Sequence, residues 1–184
     1  NLRRATDLAE SMAPVVLWID EIEKAFSPSA PDADGGVSKR LLGAFLTWLQ
    51  EHRSQVFVVA VANDVFGLAP ELLRKGRFDE TFFVDLPDES EREAVLRIHL
   101  AFRRQDLARF DLPALVQATD GFSGAELEQV VVSGLYRALH RKVDLDTPLL
   151  REEIDATVPL SVSRREDLDA LRLMARDRFV PVKG

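Results

Sequence analysis

Cysteine is absent from the 184 residues, so disulfides, thiol catalysis and thiolate metal sites are excluded, and a cytosolic compartment fits. Histidine is scarce. His52, His99 and His140 are too dispersed in sequence to argue a metal cluster. No run of about 18 apolar residues occurs, so a membrane span is not expected. The opening Asn1-Leu2-Arg3-Arg4 leads into charged amphipathic sequence without the apolar core of a signal peptide. Excess positive charge is missing too: Asp plus Glu number 31 against 24 Lys plus Arg, a net charge of -7, which argues against broad nucleic-acid binding. Internal repeats and low-complexity tracts are lacking. What is there is globular: 46% hydrophobic and 30% charged residues permit a real core. The length suits one domain or one and a half.

Apolar periodicity organises the chain into two parts. Leu2, Ala5, Leu8, Ala9 and Met12 predict a helix over 2–12 that Pro14 stops. Val15-Val16-Leu17-Trp18-Ile19 is a continuous apolar run, the pattern of a parallel strand buried on both faces, with Trp18 in the core. A short helix over 22–26 follows, then a Pro-, Ser-, Asp- and Gly-rich loop over 27–37. Leu41, Leu42, Phe45, Trp48 and Leu49 stripe a helix over 38–50 that Ser38 could cap. Val56 to Val61 is a second apolar strand, Pro70 to Arg74 a helical turn, and Thr81 to Val84 a third, shorter strand. After Leu86-Pro87 the character changes. Asp88 opens a long helix to about Arg104, with Val95, Ile98 and Phe102 on one face. Asp111-Leu112-Pro113 starts a short helix. Ser123 with Glu126 forms a capping-box pattern for another, striped by Leu127, Val130, Val131, Leu135, Ala138 and Leu139. Helices over 148–156 and 164–178 complete an all-helical second part. The predicted division is 1–87, an α/β part, and 88–184, a helical part.

Three clusters could carry chemistry. Asp20-Glu21 follows the first strand, and ligands of open parallel sheets bind outside the carboxyl ends of strands. Asp20 could hold a magnesium ion through its water shell, and Glu21 could orient and deprotonate a water. The plainer reading is two solvated acids opening a helix. Asn63 ends the second strand; if the strands are neighbours it sits beside the acids and can donate to a phosphate or hold a water. Otherwise it fills a strand-end turn. Arg74 and Arg77 flank Gly76, and paired guanidinium forks recognise phosphate oxygens. The alternative is a surface basic turn paired with Asp79 and Glu80.

The stretches LWIDEIEKAF, TWLQ, FVVAVAND, ELLRKGRFDETFFVDLP and GFSGAELEQ resemble the AAA ATPase family of the AAA+ superfamily, nearest to the AAA-like ATPase of cyanobacteria and algal plastids. The resemblance implies an α/β fold: the C-terminal part of a phosphate-loop NTPase-type parallel sheet followed by an all-helical lid. By position, Asp20 and Glu21 match the Walker B pair, with Asp20 the metal residue and Glu21 the water-activating one. Asn63 matches the polar sensor of the terminal phosphate. Arg74 and Arg77 match the arginines offered to the neighbouring subunit's nucleotide, where an arginine finger stabilises phosphoryl charge. His99 matches a residue near the nucleotide's sugar or base, and Gly124 and Ala125 match small residues where the lid meets the nucleotide. Without the resemblance, His99 reads as an ordinary helix histidine. Asp34-Gly35-Gly36 resembles a segment facing the channel of ring-forming relatives, or is a plain loop.

These likenesses imply ATP and magnesium, hydrolysis, and a homo-oligomeric ring with the hexamer as its candidate form. They imply a cytoplasmic setting and a macromolecular partner that the sequence does not identify. Membrane and nucleic acid are not indicated. The sequence departs from the family in one respect: no G-x-x-x-x-G-K-[S/T] occurs in it. That loop supplies the backbone donors and the lysine that hold phosphates. The 184 residues are therefore expected to be a fragment of a longer ATPase, inactive alone and with apolar sheet surface exposed. The alternative is a non-catalytic assembly or scaffold module derived from such a domain.

Overall fold

The structure is a computed structural model and describes residues 2–26, 36–74 and 76–182, with Val37 and Ser38 described as backbone alone. Asp34 and Gly35 of the proposed channel segment lie outside the described residues. The chain divides into two compact units, residues 1–81 and 82–184.

The first unit runs α1 (Leu2–Ser11), β1 (Val15–Ile19), α2 (Ile22–Ala25), α3 (Val37–Glu51) and β2 (Val56–Ala60). β1 and β2 pair in parallel, with Val15 opposite Val56 and Ile19 opposite Ala60. A parallel pair needs a crossover, and α2 and α3 lie in it. The core gathers Phe26, Phe45, Leu46, Leu68 and Leu72 beneath Leu41, Leu42, Trp48 and Leu49, so the α3 stripe packs as the periodicity predicts. Phe45 stacks on Phe26 at 5.1 Å and on Trp48 at 6.0 Å between ring centroids. The Trp48 indole N–H donates to Glu10 Oε1 at 2.6 Å, which satisfies its polar edge.

Three expectations need correction in this unit. β1 is not buried on both faces. Val16, Trp18 and Phe57 are 60%, 63% and 68% exposed, because no element covers that face of the strand pair among the described residues. Trp18 is therefore a surface residue rather than a core one. Gly36 occupies the N-cap position of α3, which places Ser38 inside the first turn instead of at the cap. In α1, Ala9 is buried while Leu8 and Met12 are exposed, so only part of its stripe is used.

The second unit contains β3 (Phe82–Phe83), α4 (Glu89–Phe102), a 3-10 turn (Leu107–Arg109), α5 (Leu112–Ala118), α6 (Gly124–Arg141), α7 (Thr147–Asp155), α8 (Leu160–Ser163), α9 (Arg165–Arg178) and β4 (Val180–Pro181). Side-chain caps set most helix starts. Asp88 with Glu91 and Ser123 with Glu126 form reciprocal capping boxes, and Asp111 and Asp146 each accept a first-turn N–H ahead of a proline. Each cap satisfies donors that no intrahelical carbonyl reaches. Leu96, Leu100, Leu115, Leu127, Val130, Val131 and Leu150 form the centre of one continuous core. Gly134 lets α6 and α7 approach closely: a Cβ there would sit 2.8 Å from Leu150 Cδ2. Gly121 has φ +75°, and a Cβ there would lie 2.1 Å from Ser161 Oγ, so both conformation and space call for glycine.

Here too the structure amends the sequence reading. α4 buries Arg92, Leu96 and Leu100, not Ile98 and Phe102, which are exposed; two stripes compete on this helix, and packing against α5 and α6 selects the one spaced by four. Leu139 at the end of α6 is likewise exposed. The third strand pairs in parallel with β4, so the second unit is not wholly helical. Arg172 of α9 forks onto both carboxylate oxygens of Asp85 at 2.8 to 3.1 Å, beside that short ladder.

Candidate functional site at the carboxyl ends of the parallel strands

The pairing of β1 and β2 continues past their last registered residues. Val61 N–H donates to the Ile19 carbonyl at 2.8 Å, and Ile22 N–H to the Val61 carbonyl at 3.0 Å. The chain segments carrying Asp20-Glu21 and Asn63 therefore leave the same rim of adjacent, parallel strands. Asp20 is exposed, and its Oδ1 accepts from the Glu21 N–H at 2.9 Å. Glu21 sits at the N-cap of α2 with φ 50° and ψ 48°. A left-handed backbone costs a non-glycine residue about 1–2 kcal/mol. Its carboxylate is paired with Lys24, whose ammonium is held above its ordinary pKa chiefly by that hydrogen bond. Both side chains are at least partly exposed, so the pair is weak and exchangeable.

Asn63 is exposed, and its backbone N–H donates to Glu23 Oε1 at 3.3 Å. Glu23 is buried, and its other oxygen, Oε2, has no hydrogen-bond partner among the described residues. It ties the segment after β1 to the segment after β2. In the sequence the signal for Glu23 is only its position two residues beyond the acid pair.

Arg74 and Arg77 occupy turns anchored by buried Ala69 and Leu72. They are placed differently. Arg74 is exposed and forms no ion pair among the described residues, whereas Arg77 is half-buried and donates from Nη1 to the Leu46 carbonyl at 3.4 Å. Pairing with Asp79 or Glu80 is not seen for either arginine among the described residues. Gly76 between them has φ +87°, a turn conformation that glycine adopts freely.

The remaining candidates lie in the second unit. His99 is half-buried on α4, with Nδ1 3.1 Å from Arg103 Nη1 and 3.5 Å from Glu128 Oε1. Arg103 Nη2 donates to Glu128 Oε1 at 2.8 Å, and that hydrogen bond chiefly holds the Glu128 carboxyl below the usual range. Arg103 and Glu128 also escaped the sequence analysis, although His99 and Arg103 are four apart and must be helix neighbours. Gly124 and Ala125 are the first two residues of α6. A Cβ on Gly124 would meet nothing within 4 Å, so the fold itself does not require glycine there.

Among the described residues no three His, Asp or Glu side chains gather as a metal-ligating group. Asp20 offers an exposed hard oxygen at the end of β1. That donor set suits magnesium, which keeps several waters and takes one or two carboxylates alongside substrate phosphates. Among the described residues no helix is long and apolar enough to cross a membrane.

Comparison with known proteins fits this architecture. Residues 1–86 match the family described as ATPase family associated with various cellular activities (AAA), and residues 109–154 match the AAA+ lid domain. An uncharacterized AAA domain-containing protein ycf46 of Pyropia yezoensis is 40% identical over 96% of this chain and 36% of its own length. Its counterpart in Guillardia theta is 40% identical over 93% of this chain and 34% of its own. The Cell division cycle protein 48 homolog of Archaeoglobus fulgidus is 34% identical over 94% of this chain and 24% of its own. The chain thus spans about a third or less of these relatives. The crystal structure of a FIGL-1 AAA domain in complex with ADP superposes with a TM-score of 0.77 at 19% identity, over 97% of this chain and 62% of that one. A parallel strand pair followed by capped lid helices, matched by the two family models over residues 1–86 and 109–154 and by relatives about 40% identical over nearly all of its length, makes this chain a member of the AAA+ ATPase family, closely related to the algal ycf46-type AAA proteins.

Proposed function

We propose that this chain forms part of an ATP-binding and ATP-hydrolysing machine that remodels a macromolecular partner. Residues 1–87 would supply the α/β catalytic part and residues 88–184 the lid. The observation that carries this reading is the shared rim: Asp20-Glu21 and Asn63 leave adjacent parallel strands side by side.

Asp20 would hold magnesium through its free carboxylate oxygen and intervening waters. The cation, when bound, neutralises phosphate charge. Glu21 is the base that orients and deprotonates the attacking water, and its left-handed backbone turns the carboxylate off the strand line. Lys24 pairs with this carboxylate at rest, and its release would make Glu21 the stronger base. The Asn63 amide donates to the terminal phosphate or the water. Exposed Arg74 suits a reach toward a neighbouring subunit, while Arg77 would first give up its bond to Leu46. His99, Gly124 and Ala125 contact the sugar or base from the lid. Such intersubunit arginines go with a homo-oligomeric ring, for which the hexamer is the candidate form. A cysteine-free chain suits a cytoplasmic setting.

The 184 residues alone should turn over ATP poorly, since they contain no phosphate-loop motif. The test is phosphate release by the chain extended upstream with a glycine-rich lysine loop. Glu21→Gln should lower the rate by about 100-fold or more, the scale of general-base catalysis. A rate unchanged by Glu21→Gln would end this reading. The missing motif favours one alternative, a non-catalytic assembly module, which saturable partner binding indifferent to nucleotide would support.

A further inference from the structure

We infer that Arg103 is a positioning residue that fixes the proton of neutral His99 on Nε2, so that the lid offers a hydrogen-bond donor at this histidine. A guanidinium has five N–H donors and no acceptor. Arg103 Nη1 lies 3.1 Å from His99 Nδ1. A contact of that length is favourable only if Nδ1 presents its lone pair. A neutral imidazole carries one proton, and with Nδ1 accepting, that proton is on Nε2.

Arg103 is held for this task from several sides. Nη1 also donates to the His99 carbonyl at 3.2 Å, and Nη2 donates to Glu128 Oε1 at 2.8 Å. The guanidinium carbon lies 5.7 Å from the centre of the Phe102 ring. The backbone places both residues by the four-residue spacing at the end of α4. Glu128 is the competing influence, because its Oε1 lies 3.5 Å from His99 Nδ1 and would favour a proton there. That distance exceeds the 2.7–2.9 Å usual for charge-assisted bonds. The same oxygen already accepts from Arg103 at the shorter distance, so the arginine contact decides the tautomer.

The consequence is a choice of ligand chemistry. A group reaching His99 Nε2 must present an acceptor, such as a purine ring nitrogen or a ribose oxygen. This last step rests on the nucleotide-site reading proposed above; the tautomer does not.

The test is long-range nitrogen–proton correlation of the histidine rings in the full chain at alkaline pH, where imidazoles are neutral. The His99 spectrum should show a single tautomer with a proton-bearing Nε2 and a lone-pair Nδ1. Arg103→Met should convert it to a mixture. Glu128→Gln, at a partly exposed position that should not disturb folding, should shift it less. A wild-type ring protonated at Nδ1, or a tautomer indifferent to Arg103→Met in a folded variant, would overturn the inference. If the tautomer obeys Arg103 but the Nε2 signal ignores saturating ATP in the loop-extended chain, the nucleotide role of His99 fails and the positioning role stands.

Discussion

In the helical unit fifteen buried apolar residues form one cluster, whereas the core cluster of the α/β unit has seven among the described residues, and one face of its strand pair lies open. Secondary structure explains the contrast. An amphipathic helix has one stripe to hide, and five or six such stripes can close on one another. A parallel strand pair has two faces and two edges, and each needs its own cover. In the helical unit α4 to α7 close on one another around their cluster, although Phe102, Leu139 and Leu173 stay exposed there. The α/β unit covers its strand pair on one face only, and the proposed chemistry sits at the rim of that half-covered sheet. The two tryptophans, Trp18 and Trp48, both belong to the α/β unit, so their fluorescence follows it alone.

That contrast can be broken by experiment. The largest effect is expected from Leu127→Ala in the closed core, at a position with no exposure: about 3–5 kcal/mol, against about 1 kcal/mol for Leu42→Ala at a half-buried site of the open unit. Chemical denaturation followed by far-UV circular dichroism and by tryptophan fluorescence should resolve two transitions, with fluorescence moving first. Coincident transitions, or equal costs for the two leucines, would show that the units do not differ in this way. A smaller loss, about 1–2 kcal/mol, is expected for Glu126→Ala. Its Oε2 accepts from Ser123 N–H at 2.7 Å and its Oε1 from Leu160 N–H at 2.8 Å, so the change removes the reciprocal half of the α6 capping box and the tie to the start of α8 together. It should lower the dichroism midpoint and leave the fluorescence midpoint in place.

Acid should act on the helical unit through Glu152. Its carboxyl is held below the usual range, first by the Arg141 hydrogen bond. A depressed folded-state pKa means that the stabilisation is present at neutral pH and disappears as pH falls from the ordinary carboxylate range through the folded value. The midpoint difference between wild type and Glu152→Gln should therefore shrink on acidification; a constant difference would exclude this coupling. The smallest change is expected for Trp18→Ser, within about 0.5 kcal/mol of wild type, because the side chain is 63% exposed. A large loss would mean that this face is covered in solution.

Much of the helical unit was legible because its signals are local. Ser123 with Glu126, and Asp88, mark helix starts within four residues of chain, and both caps form. The α3 stripe from Leu41 to Leu49 was equally readable, since a single face repeats without a rival. α4 was harder. Ile98 and Phe102 compete with Leu96 and Leu100, and only the positions of α5 and α6 choose between them. Trp18 misled for a related reason, because an apolar run states that a strand can be buried but not whether anything lies over it. At the candidate site, Asp20, Glu21 and Asn63 were legible as residues following apolar strands. Glu23, Arg103 and Glu128 were not, because their significance depends on partners up to 40 residues away.

The sequence by itself determined the starts of α4, α5 and α6 and the places of β1 and β2, since caps, prolines and apolar periods act within a few residues. It also determined the chemical character of the strand-end acids and amide. Tertiary structure alone decided that β1 and β2 are neighbours in parallel register, that Glu23 bridges to Asn63, and that Arg103 meets Glu128 from another helix. Each of those depends on free energy shared between distant segments, which no local pattern encodes.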